Sequence, residues 1–561
     1  MGVKVLELKN ICIDLSDGKS LVKNASLSIE KGRVHGLIGE SGSGKSLSAL
    51  SIVGLLPRNC SVTGGSICLT VNGVKTELQK LPSNEIRSIR GNEVGFIFQD
   101  PMTSLNPVMR CGDQVEEAIA IHQKISKKEL KKRVIHLFQK VKLPDPEKAY
   151  GAYPHELSGG QRQRVMIAQA ISCNPALLVA DEPTTALDVE VQMAIVDLIN
   201  ELRKSDNMAV LFISHDLGII SEIADDISIM YKGEIIETGT TEAIFKSPEA
   251  AYTKGLLACR PPLDKQINRL PTIQDFIDGI PREANDGDSR NEDLKENANE
   301  ILLMVRALSA FYPLSYGLMG QVTREFHVLR NIDFEVVRGE SLGLVGESGS
   351  GKSSLGRALL HLIETRSGEI NYRGELISDM REKEFRKWRS KIQFVFQDPY
   401  SSLNPKIKVG EAINEVLKVH KSDLGRDRRK DKVHELLRLV GLHESDYDKY
   451  PHQFSGGQRQ RIVIARALAP DPEFIVCDEA VSALDVSVQA QILNLLKDLK
   501  INLGLTYLFI THDMAVVRFF CDRMLVMKDG SLIESGKTDR IFEMPSHDYT
   551  KSLIEFAKKL G

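Results

Sequence analysis

The chain has 561 residues, of which 42% are hydrophobic and 27% charged, with a formal net charge of −3. This length exceeds the size at which one hydrophobic core keeps growing, so two or more domains are expected. The near-neutral charge argues against a general nucleic-acid-binding surface, and no run approaches the roughly 20 apolar residues of a membrane-spanning helix. Eight cysteines without a C-x-x-C pair predict reduced thiols, with neither a disulfide framework nor a zinc site.

The sequence contains an internal duplication. Four stretches recur in the same order in the two halves: GESGSGKS at 39–46 and 346–353, SGGQRQR at 158–164 and 455–461, DEPTTALD at 181–188 with DEAVSALD at 478–485, and ISHD at 213–216 with ITHD at 510–513. Such self-similarity predicts two copies of one domain, which we assign to residues 1–262 and 301–561. The segment 263–300 between them is polar and acidic, and we expect it to act as a tether.

Each GESGSGKS stretch fits the pattern G-x-x-x-x-G-K-[ST], follows an apolar strand and precedes a helix. Glycines let successive backbone N–H groups turn toward an anion, and the helix adds its positive end. The lysines would reach the β- and γ-phosphates of a nucleotide, and the final serines would ligate Mg²⁺. The predicted phosphate-binding residues are Gly39, Ser41, Gly42, Gly44, Lys45 and Ser46 in the first copy and Gly346, Ser348, Gly349, Gly351, Lys352 and Ser353 in the second.

Two apolar runs, ALLVADE and EFIVCDE, end in paired carboxylates. A buried acidic pair is unfavourable unless a cation compensates it, so the position at a strand end indicates the Mg²⁺ site. Asp181 and Asp478 are predicted to hold the metal, and Glu182 and Glu479 to polarise the attacking water. The alternative is an acid pair that merely caps a strand.

Two further pairs of polar residues follow predicted strands. Gln99 and Gln397 are neutral amides suited to contact both Mg²⁺ and the attacking water. His215 and His512 follow the runs VLFIS and YLFIT, and we expect them to contact the γ-phosphate. A histidine in that setting can also be an ordinary core residue.

The stretch LSGGQRQR opens a helix in each half, with Ser158 as the expected N-cap and the free N–H groups as a second anion site. Together with the phosphate loops and the ALD turns, it closely resembles the ATP-binding cassette (ABC) ATPases over both halves. The resemblance implies an α/β fold with two P-loop cassettes in tandem, each a RecA-like core with an antiparallel β subdomain and an α-helical subdomain. It also implies two composite ATP sites, in which each phosphate loop faces the other cassette's signature residues: Ser158, Gly160 and Gln161, and Ser455, Gly457 and Gln458.

ABC ATPases usually stack an aromatic ring on adenine from a loop before the phosphate loop. The first half has no aromatic residue before Phe96, so its adenine would rest on aliphatic side chains such as Leu15. We therefore expect weaker ATP binding there, by about 1–3 kcal/mol. The second half offers Phe311 and Tyr312, of which Tyr312 is the predicted adenine contact, with an ordinary core role as the alternative.

The class of ABC protein is indicated by QDPMTSLNP at 99–107 and QDPYSSLNP at 397–405, and by AYTKGLL at 251–257 and DYTKSLI at 548–554. These stretches resemble the oligopeptide/dipeptide/nickel importers, in particular fused ATPases such as those of microcin/peptide and glutathione importers. The residues after each Gln would then meet a permease. Since Cys259 is the lone cysteine of its region, no iron–sulfur cluster is expected.

That resemblance implies an ATP- and Mg²⁺-dependent motor on the cytoplasmic face of the inner membrane, without a nucleic-acid partner. Its partners would be two integral-membrane permeases and an extracytoplasmic solute-binding protein, and its cargo di- or oligopeptides ahead of nickel, glutathione or metal chelates. The alternative is a soluble tandem ABC protein acting on ribosomes or nucleic acid. Basic runs at 124–133 and 426–432 are either solvated helix faces or surfaces near an anionic bilayer.

Overall fold

The computed structural model describes residues 2–99, 104–184, 187–264, 267–279, 300–316, 322–482 and 484–560. The chain divides into two compact units, unit 1 up to Leu257 and unit 2 from Ala258 to Lys559. The sequence-based domain limits at 262 and 301 remain a prediction. Among the described residues, no helix combines the length and apolar character needed to cross a bilayer.

Unit 1 contains two sheets. Its strands are β1 (Lys4–Leu15), β2 (Ser20–Glu30), β3 (Val34–Ile38), β4 (Cys60–Val71), β5 (Val74–Glu77), β6 (Val94–Ile97), β7 (Leu177–Asp181), β8 (Ala209–Ile213), β9 (Asp226–Tyr231) and β10 (Glu234–Thr240). An antiparallel sheet has the order β2-β1-β4-β5, and a mainly parallel sheet has the order β10-β9-β3-β8-β7-β6. Every residue of β3, β7 and β8 is buried, which is typical of parallel strands covered on both faces.

The helices of unit 1 follow from capping residues and amphipathic spacing. They are α1 (Lys45–Ile52), α2 (Ser83–Ile89), α3 (Cys111–Ala120), α4 (Lys127–Lys140), α5 (Pro146–Gly151), α6 (Gly159–Ala170), α7 (Val189–Asp206), α8 (Leu217–Ile223), α9 (Thr241–Lys246) and α10 (Ala251–Ala258). The side chains of Ser126, Asp145 and Asp188 accept hydrogen bonds from the first turns of α4, α5 and α7, as N-caps do. Helices α3, α4 and α5 contact one another and form a helical layer inserted between β6 and β7 in the chain.

Unit 2 repeats this plan. Its strands are β11 (Ile301–Tyr316), β12 (Val322–Val337), β13 (Ser341–Val345), β14 (Thr365–Tyr372), β15 (Glu375–Leu376), β16 (Ile392–Val395), β17 (Phe474–Asp478), β18 (Thr506–Ile510), β19 (Arg523–Lys528) and β20 (Ser531–Lys537). The sheet orders are β12-β11-β14-β15 and β16-β17-β18-β13-β19-β20. The strand β4 has 12 residues where β14 has 8, in the region where the first copy is longer in sequence.

Most helices of unit 2 correspond to those of unit 1. An additional helix precedes the first strand, a short helix at Pro399–Ser402 aligns with a part of unit 1 that lies mainly outside the described residues, and a 3₁₀ turn at Glu444–Asp448 stands where unit 1 has α5. The helices of unit 2 are α11 (Ile273–Ile277), α12 (Lys352–Leu359), α13 (Glu382–Phe385), α14 (Pro399–Ser402), α15 (Val409–His420), α16 (Arg426–Leu439), α17 (Gly456–Leu468), α18 (Val486–Leu503), α19 (Met514–Phe520), α20 (Thr538–Glu543) and α21 (Asp548–Leu560). Each unit thus contains one antiparallel sheet and one mainly parallel sheet, with helices between the strands in the chain. This confirms the predicted α/β fold with two cassettes in tandem.

Part of the segment expected to be a tether packs on unit 2. The backbone N–H of Leu270 donates to Asn494 Oδ1 at 2.9 Å, and Asn494 Nδ2 donates to the carbonyl of Leu270 at 2.8 Å. Leu270 and Ile273 are buried, and Arg269 forms a surface ion pair with Asp498. Two apolar side chains and a buried amide are enough to attach this short stretch, although its overall composition is polar.

Candidate nucleotide site

Each phosphate loop joins a buried parallel strand to a helix. In unit 1 the loop runs from β3 to α1, and Gly44 has φ 105°, a conformation that favours glycine. Lys45 Nζ lies inside the loop and donates to the carbonyl oxygens of Gly39 at 2.7 Å and Glu40 at 2.9 Å. A Cβ on Gly39 would lie 2.2 Å from the carbonyl oxygen of Met230, so a side chain is excluded there.

The loop of unit 2, between β13 and α12, has the same geometry. Gly351 has φ 105°, and Lys352 Nζ donates to the carbonyl oxygens of Gly346 at 2.8 Å and Glu347 at 2.7 Å. Both lysines are buried although they carry charge. A buried ammonium held by carbonyl oxygens at the start of a helix makes the loop a ready anion site. The remaining predicted residues, Ser41, Gly42, Ser348 and Gly349, lie in these loops.

A serine and an aspartate meet beside each loop. Ser46 Oγ donates to Asp181 Oδ1 at 3.1 Å, and Ser353 Oγ donates to Asp478 Oδ1 at 2.7 Å. Burial raises the pKa of Asp181 to about 6, and it also raises the pKa of Asp478. A buried carboxylate beside a hydroxyl is a hard oxygen donor set that a divalent cation would stabilise in its charged form. The residues therefore fit Mg²⁺.

The next residue after each aspartate carries a second cluster. Gln99 Nε2 donates to Glu182 Oε2 at 2.9 Å, and His215 Nδ1 lies 3.3 Å from Glu182 Oε1. Glu182 has φ 50°, an uncommon left-handed conformation for a side chain other than Gly, Asn or Asp. That turn directs the carboxylates of Asp181 and Glu182 to different partners.

Unit 2 contains the same cluster. Gln397 Nε2 donates to Glu479 Oε2 at 2.6 Å, His512 Nδ1 lies 3.5 Å from Glu479 Oε1, and Glu479 has φ 47°. Burial alone would raise the pKa of Glu479, but the hydrogen bond and charge of His512 and the charge of Lys352 lower it below its usual value. Burial alone would lower the pKa of His512, and its contact with Glu479 raises it instead.

The signature serines cap helices, as predicted. Ser158 Oγ accepts from the backbone N–H of Gln161 at 3.3 Å, and Gln161 Oε1 accepts from the backbone N–H of Ser158 at 3.1 Å. Ser455 and Gln458 make the same reciprocal pair at the start of α17. The glutamines predicted to contact nucleotide thus form capping boxes in this structure.

Gly160 and Gly457 are the points where the signature helices approach α7 and α18. A Cβ on Gly160 would lie 2.7 Å from Cγ1 of Val191, and a Cβ on Gly457 would lie 2.2 Å from Cγ1 of Val488. These glycines are therefore also required for packing within their own units.

A pair of tyrosines near the phosphate loops was missed by the sequence reasoning. The Tyr252 hydroxyl accepts from the backbone N–H of Glu40 at 3.3 Å, and the Tyr549 hydroxyl accepts from that of Glu347 at 2.8 Å. Both tyrosines are buried. The available signal is the Tyr-Thr dipeptide repeated in AYTKGLL and DYTKSLI, but no local pattern connects it to the phosphate loop.

The residues considered for adenine lie at the antiparallel sheets. Tyr312 on β11 is half-buried against the core of unit 2, and its hydroxyl lies 3.3 Å from Ser354 Oγ, one residue beyond the phosphate-loop serine. Phe311 lies under the guanidinium of Arg366. Leu15 ends β1 and is half-buried. Stacking on adenine stays a prediction.

The nonapeptide that begins with each Gln is described fully in unit 2. Asp398 caps α14 by accepting from the backbone N–H groups of Tyr400 at 2.8 Å and Ser401 at 3.2 Å. The Tyr400 ring is 64% exposed and stacks on the guanidinium of Arg459 at 3.6 Å. In unit 1 the residues 100–103 lie outside the described part of the chain.

A lysine-bearing phosphate loop, a serine–aspartate pair and a glutamate held by glutamine and histidine, with a capped SGGQ helix, define an ATP-binding cassette ATPase. The model of the ABC transporter family matches residues 22–185 and 329–482, one range in each unit. The model of the oligopeptide/dipeptide transporter C-terminal region matches residues 236–285 and 533–560. The chain belongs to the ABC transporter family as a fused tandem ATPase, which confirms the resemblance seen in the sequence.

Curated relatives extend the likeness over nearly the whole chain. The glutathione import ATP-binding protein GsiA of Salmonella choleraesuis strain SC-B67 is 45% identical over 536 residues, which cover 95% of this chain and 86% of the relative. GsiA of Escherichia coli strain K12 is 44% identical over 560 residues, covering 98% of this chain and 89% of the relative. These matches give no support to the ribosome or nucleic-acid alternative.

Proposed function

We propose that both units carry a complete set of hydrolytic residues, so that the chain has two competent ATPase centres. The observation that carries this proposal is the duplicated Gln–Glu–His cluster beside a duplicated Ser–Asp pair. A site that had lost activity would be expected to lose at least one of these contacts. Here every member and every hydrogen bond is present in both copies.

In each centre the glutamate acts as the acceptor of the water proton. The lowered pKa of Glu479 keeps its carboxylate ionised at neutral pH, as an acceptor requires. The amide of Gln397 and the ring of His512 hold the carboxylate in one orientation. Water then attacks the γ-phosphorus, its proton passes to the carboxylate, and the bond to the β-phosphate oxygen breaks to release ADP and phosphate.

The other residues bind and neutralise the phosphates. Lys45 and Lys352 provide a fixed positive charge inside their loops, and the helix N-termini add to it. Ser46 with Asp181, and Ser353 with Asp478, would hold Mg²⁺, with Gln99 and Gln397 as further contacts. When bound, Mg²⁺ supplies charge neutralisation at the phosphate oxygens.

We propose further that the signature residues of each unit, Ser158 and Gly160 in unit 1 and Ser455 and Gly457 in unit 2, contact nucleotide phosphate. The free N–H groups at the start of a capped helix are suited to bind such an anion.

Substitution of the two glutamates tests the ATPase proposal. Glu182→Gln together with Glu479→Gln is expected to reduce the turnover number at least about 100-fold while ATP binding remains, because proton transfer is lost but phosphate contacts are not. Turnover by phosphate release and binding of a fluorescent ATP analogue measure the two effects. Glu201→Gln, on an exposed face of α7, is the matched control. Normal turnover in the double variant would refute the assignment.

We also propose that the chain is the ATP-hydrolysing motor of an importer for small peptides, including glutathione. The support is the match to the oligopeptide/dipeptide transporter C-terminal region in both halves and the glutathione importers among the relatives. The motor would work at the cytoplasmic face of the inner membrane with two permeases and an extracytoplasmic solute-binding protein. The exposed Tyr400 and the residues that follow Gln99 and Gln397 in the sequence are the proposed permease contacts.

Uptake measurements test which solute the system imports. Cells expressing the transport system are supplied with labelled glutathione, a labelled dipeptide or nickel, with the double glutamine variant as the background. Peptide or glutathione uptake that depends on both glutamates supports the proposal. Uptake of nickel alone would assign the system to metal import, and uptake equal to the background in every arm would refute an import role for these solutes.

A further inference from the structure

A pocket of about 410 Å³ lies in the helical layer of unit 1, away from the phosphate loop in sequence. Its lining consists of four lysines, two glutamates (Glu116 and Glu147), Ile135 and Tyr150, so the aliphatic lysine stems, Ile135 and the tyrosine ring form apolar walls and the four lysines exceed the two glutamates by two positive charges. The lysines belong to two successive turns at the start of α4: Lys127, Lys128, Lys131 and Lys132.

The four charges are arranged unfavourably for the protein alone. Lys127 with Lys131 and Lys128 with Lys132 are like-charge pairs at i,i+4, which oppose helix formation. Lys127 and Lys128 also stand in the first turn, where the helix dipole disfavours cations. Among the described residues these four lysines form no ion pair: Glu116 and Glu147 also line the pocket, but Glu116 accepts a hydrogen bond from the Tyr150 hydroxyl instead. An anion bound at the pocket would relieve all three effects.

Unit 2 provides an internal comparison, because the scaffold is duplicated but the charge at the four lysine positions is not. The Tyr150 hydroxyl donates to Glu116 at 2.7 Å, and the Tyr447 hydroxyl donates to Glu411 at 2.8 Å. Lys131 lies over the Tyr150 ring at 5.0 Å, and Lys430 lies over the Tyr447 ring at 5.7 Å.

The second and sixth residues of α4 and α16 carry charges of opposite sign. Unit 1 has Lys128 and Lys132, whereas unit 2 has Asp427 and Asp431 at these positions of α16. These four positions therefore sum to +4 in α4 and to zero in α16, although the first seven residues as a whole sum to +4 in α4 and +3 in α16 because α16 carries other basic residues. The scaffold by itself does not require lysines at these four positions, so their placement around the pocket needs a separate reason.

We propose that this pocket of unit 1 binds the headgroup of an acidic phospholipid. The ammonium groups would contact the phosphate, and the apolar walls made by the lysine stems, Ile135 and Tyr150 would contact the glycerol and the start of an acyl chain. A soluble phosphate would use the charges but not these walls, which is why the lipid is the favoured source. The inference rests on the proposed function in one respect: a motor that acts on permeases works beside such headgroups.

Vesicle binding by the purified full-length protein tests the proposal without permeases. Vesicles of phosphatidylcholine with 30% phosphatidylglycerol (about 0.15 M salt) are compared with pure phosphatidylcholine by co-sedimentation. Lys128→Asp with Lys132→Asp, which copies unit 2, is expected to reduce binding to the acidic vesicles about tenfold or more. Lys19→Asp with Lys31→Asp makes the same charge change on exposed residues elsewhere in unit 1 and is expected to have a much smaller effect.

The reverse exchange provides a gain-of-function arm. Asp427→Lys with Asp431→Lys is expected to increase binding to the acidic vesicles, because the scaffold of unit 2 is already present. ATP turnover is measured in every variant and should stay unchanged, which separates this inference from the ATPase and import proposals.

Three outcomes would overturn the proposal. Equal vesicle binding by the Lys128/Lys132 variant and the Lys19/Lys31 control would show that binding depends only on the net charge of the protein and not on this pocket. Competition by glycerophosphoglycerol or inorganic phosphate as effective as that by acidic vesicles would assign the pocket to a soluble anion. Retention of RNA through the same lysines, with no preference for acidic vesicles, would assign it to nucleic acid.

Discussion

The hydroxyl oxygen of Tyr252 accepts a hydrogen bond from the backbone N–H of Glu40, at an N···O distance of 3.3 Å. Tyr549 and Glu347 repeat the contact at 2.8 Å in unit 2. Each bond joins the C-terminal helical segment of a unit to the first part of its phosphate loop. In both units, therefore, a tyrosine near the C-terminal end of the unit forms a hydrogen bond that supports the phosphate loop near its N-terminal end.

Removing that support should weaken nucleotide binding. Tyr252→Phe and Tyr549→Phe leave the partly buried backbone N–H groups of Glu40 and Glu347 without this acceptor, and ATP affinity should fall about 3- to 10-fold per site. Titration with a fluorescent ATP analogue measures it. Tyr231→Phe is the control, since its ring packs on Tyr252 at 4.2 Å. An unchanged dissociation constant would show that the loop holds its shape without the tyrosines.

Alanine substitution should have very different effects on stability at the two adjacent glycines of the second signature, Gly456 and Gly457. Gly457→Ala places a Cβ 2.2 Å from Cγ1 of Val488, whereas Gly456→Ala meets its nearest neighbour, Leu484 Cδ2, at 3.8 Å. We expect Gly457→Ala to lower the free energy of unfolding of unit 2 by about 1–3 kcal/mol and Gly456→Ala to change it little. Chemical denaturation provides the measurement. Restoration of stability by Val488→Ala in the Gly457→Ala background confirms the steric cause, and equal effects of the two alanines would contradict it.

Asn494 should contribute to stability through the segment before the second cassette. Asn494→Ala leaves both backbone groups of buried Leu270 without their partner, at a cost of about 1–3 kcal/mol in the free energy of unfolding of unit 2. Asp498→Ala, which removes a surface ion pair with Arg269, should cost about 0–1 kcal/mol. Denaturant titration of both variants provides the comparison. A larger loss of stability in Asp498→Ala than in Asn494→Ala would show that the two hydrogen bonds between Asn494 and Leu270 do not hold the segment around Leu270 on unit 2.

Asp181 should make unit 1 less stable as the pH rises. Its folded pKa of about 6 lies above its ordinary value of 3.8, so the folded state binds the proton more tightly. The free energy of unfolding therefore falls as the pH rises from about 4 to 6, and the loss is complete above that window.

Asp181→Asn should abolish this fall and stabilise nucleotide-free unit 1 at pH 7.5 by up to about 3 kcal/mol, at 1.4 kcal/mol per pH unit. Thermal unfolding between about pH 4 and 8 tests this, with exposed Asp17→Asn as the control. A less stable Asp181→Asn protein at pH 7.5 would show that the ionised carboxylate is the favoured form in the fold.

Much of the protein was determined by the sequence alone. The phosphate loops, acid pairs and capped SGGQ helices are local: a few consecutive residues set the turn, the cap and the strand end, so a short motif predicts them. The duplication located both copies of each, and Ser158 caps its helix as expected. The composition of segment 263–300, however, did not reveal that Leu270 would be buried.

Tertiary structure decided the contacts between residues far apart in the chain. The hydrogen bond between Glu40 and Tyr252 joins residues 212 positions apart, and the hydrogen bonds between Leu270 and Asn494 join residues 224 positions apart. Neither partner carries a local pattern that specifies the other, because such a contact exists only once sheets and helices have packed. The same holds for the lysines of α4, since the sequence shows a basic run but only packing against Tyr150 turns that run into the wall of a pocket.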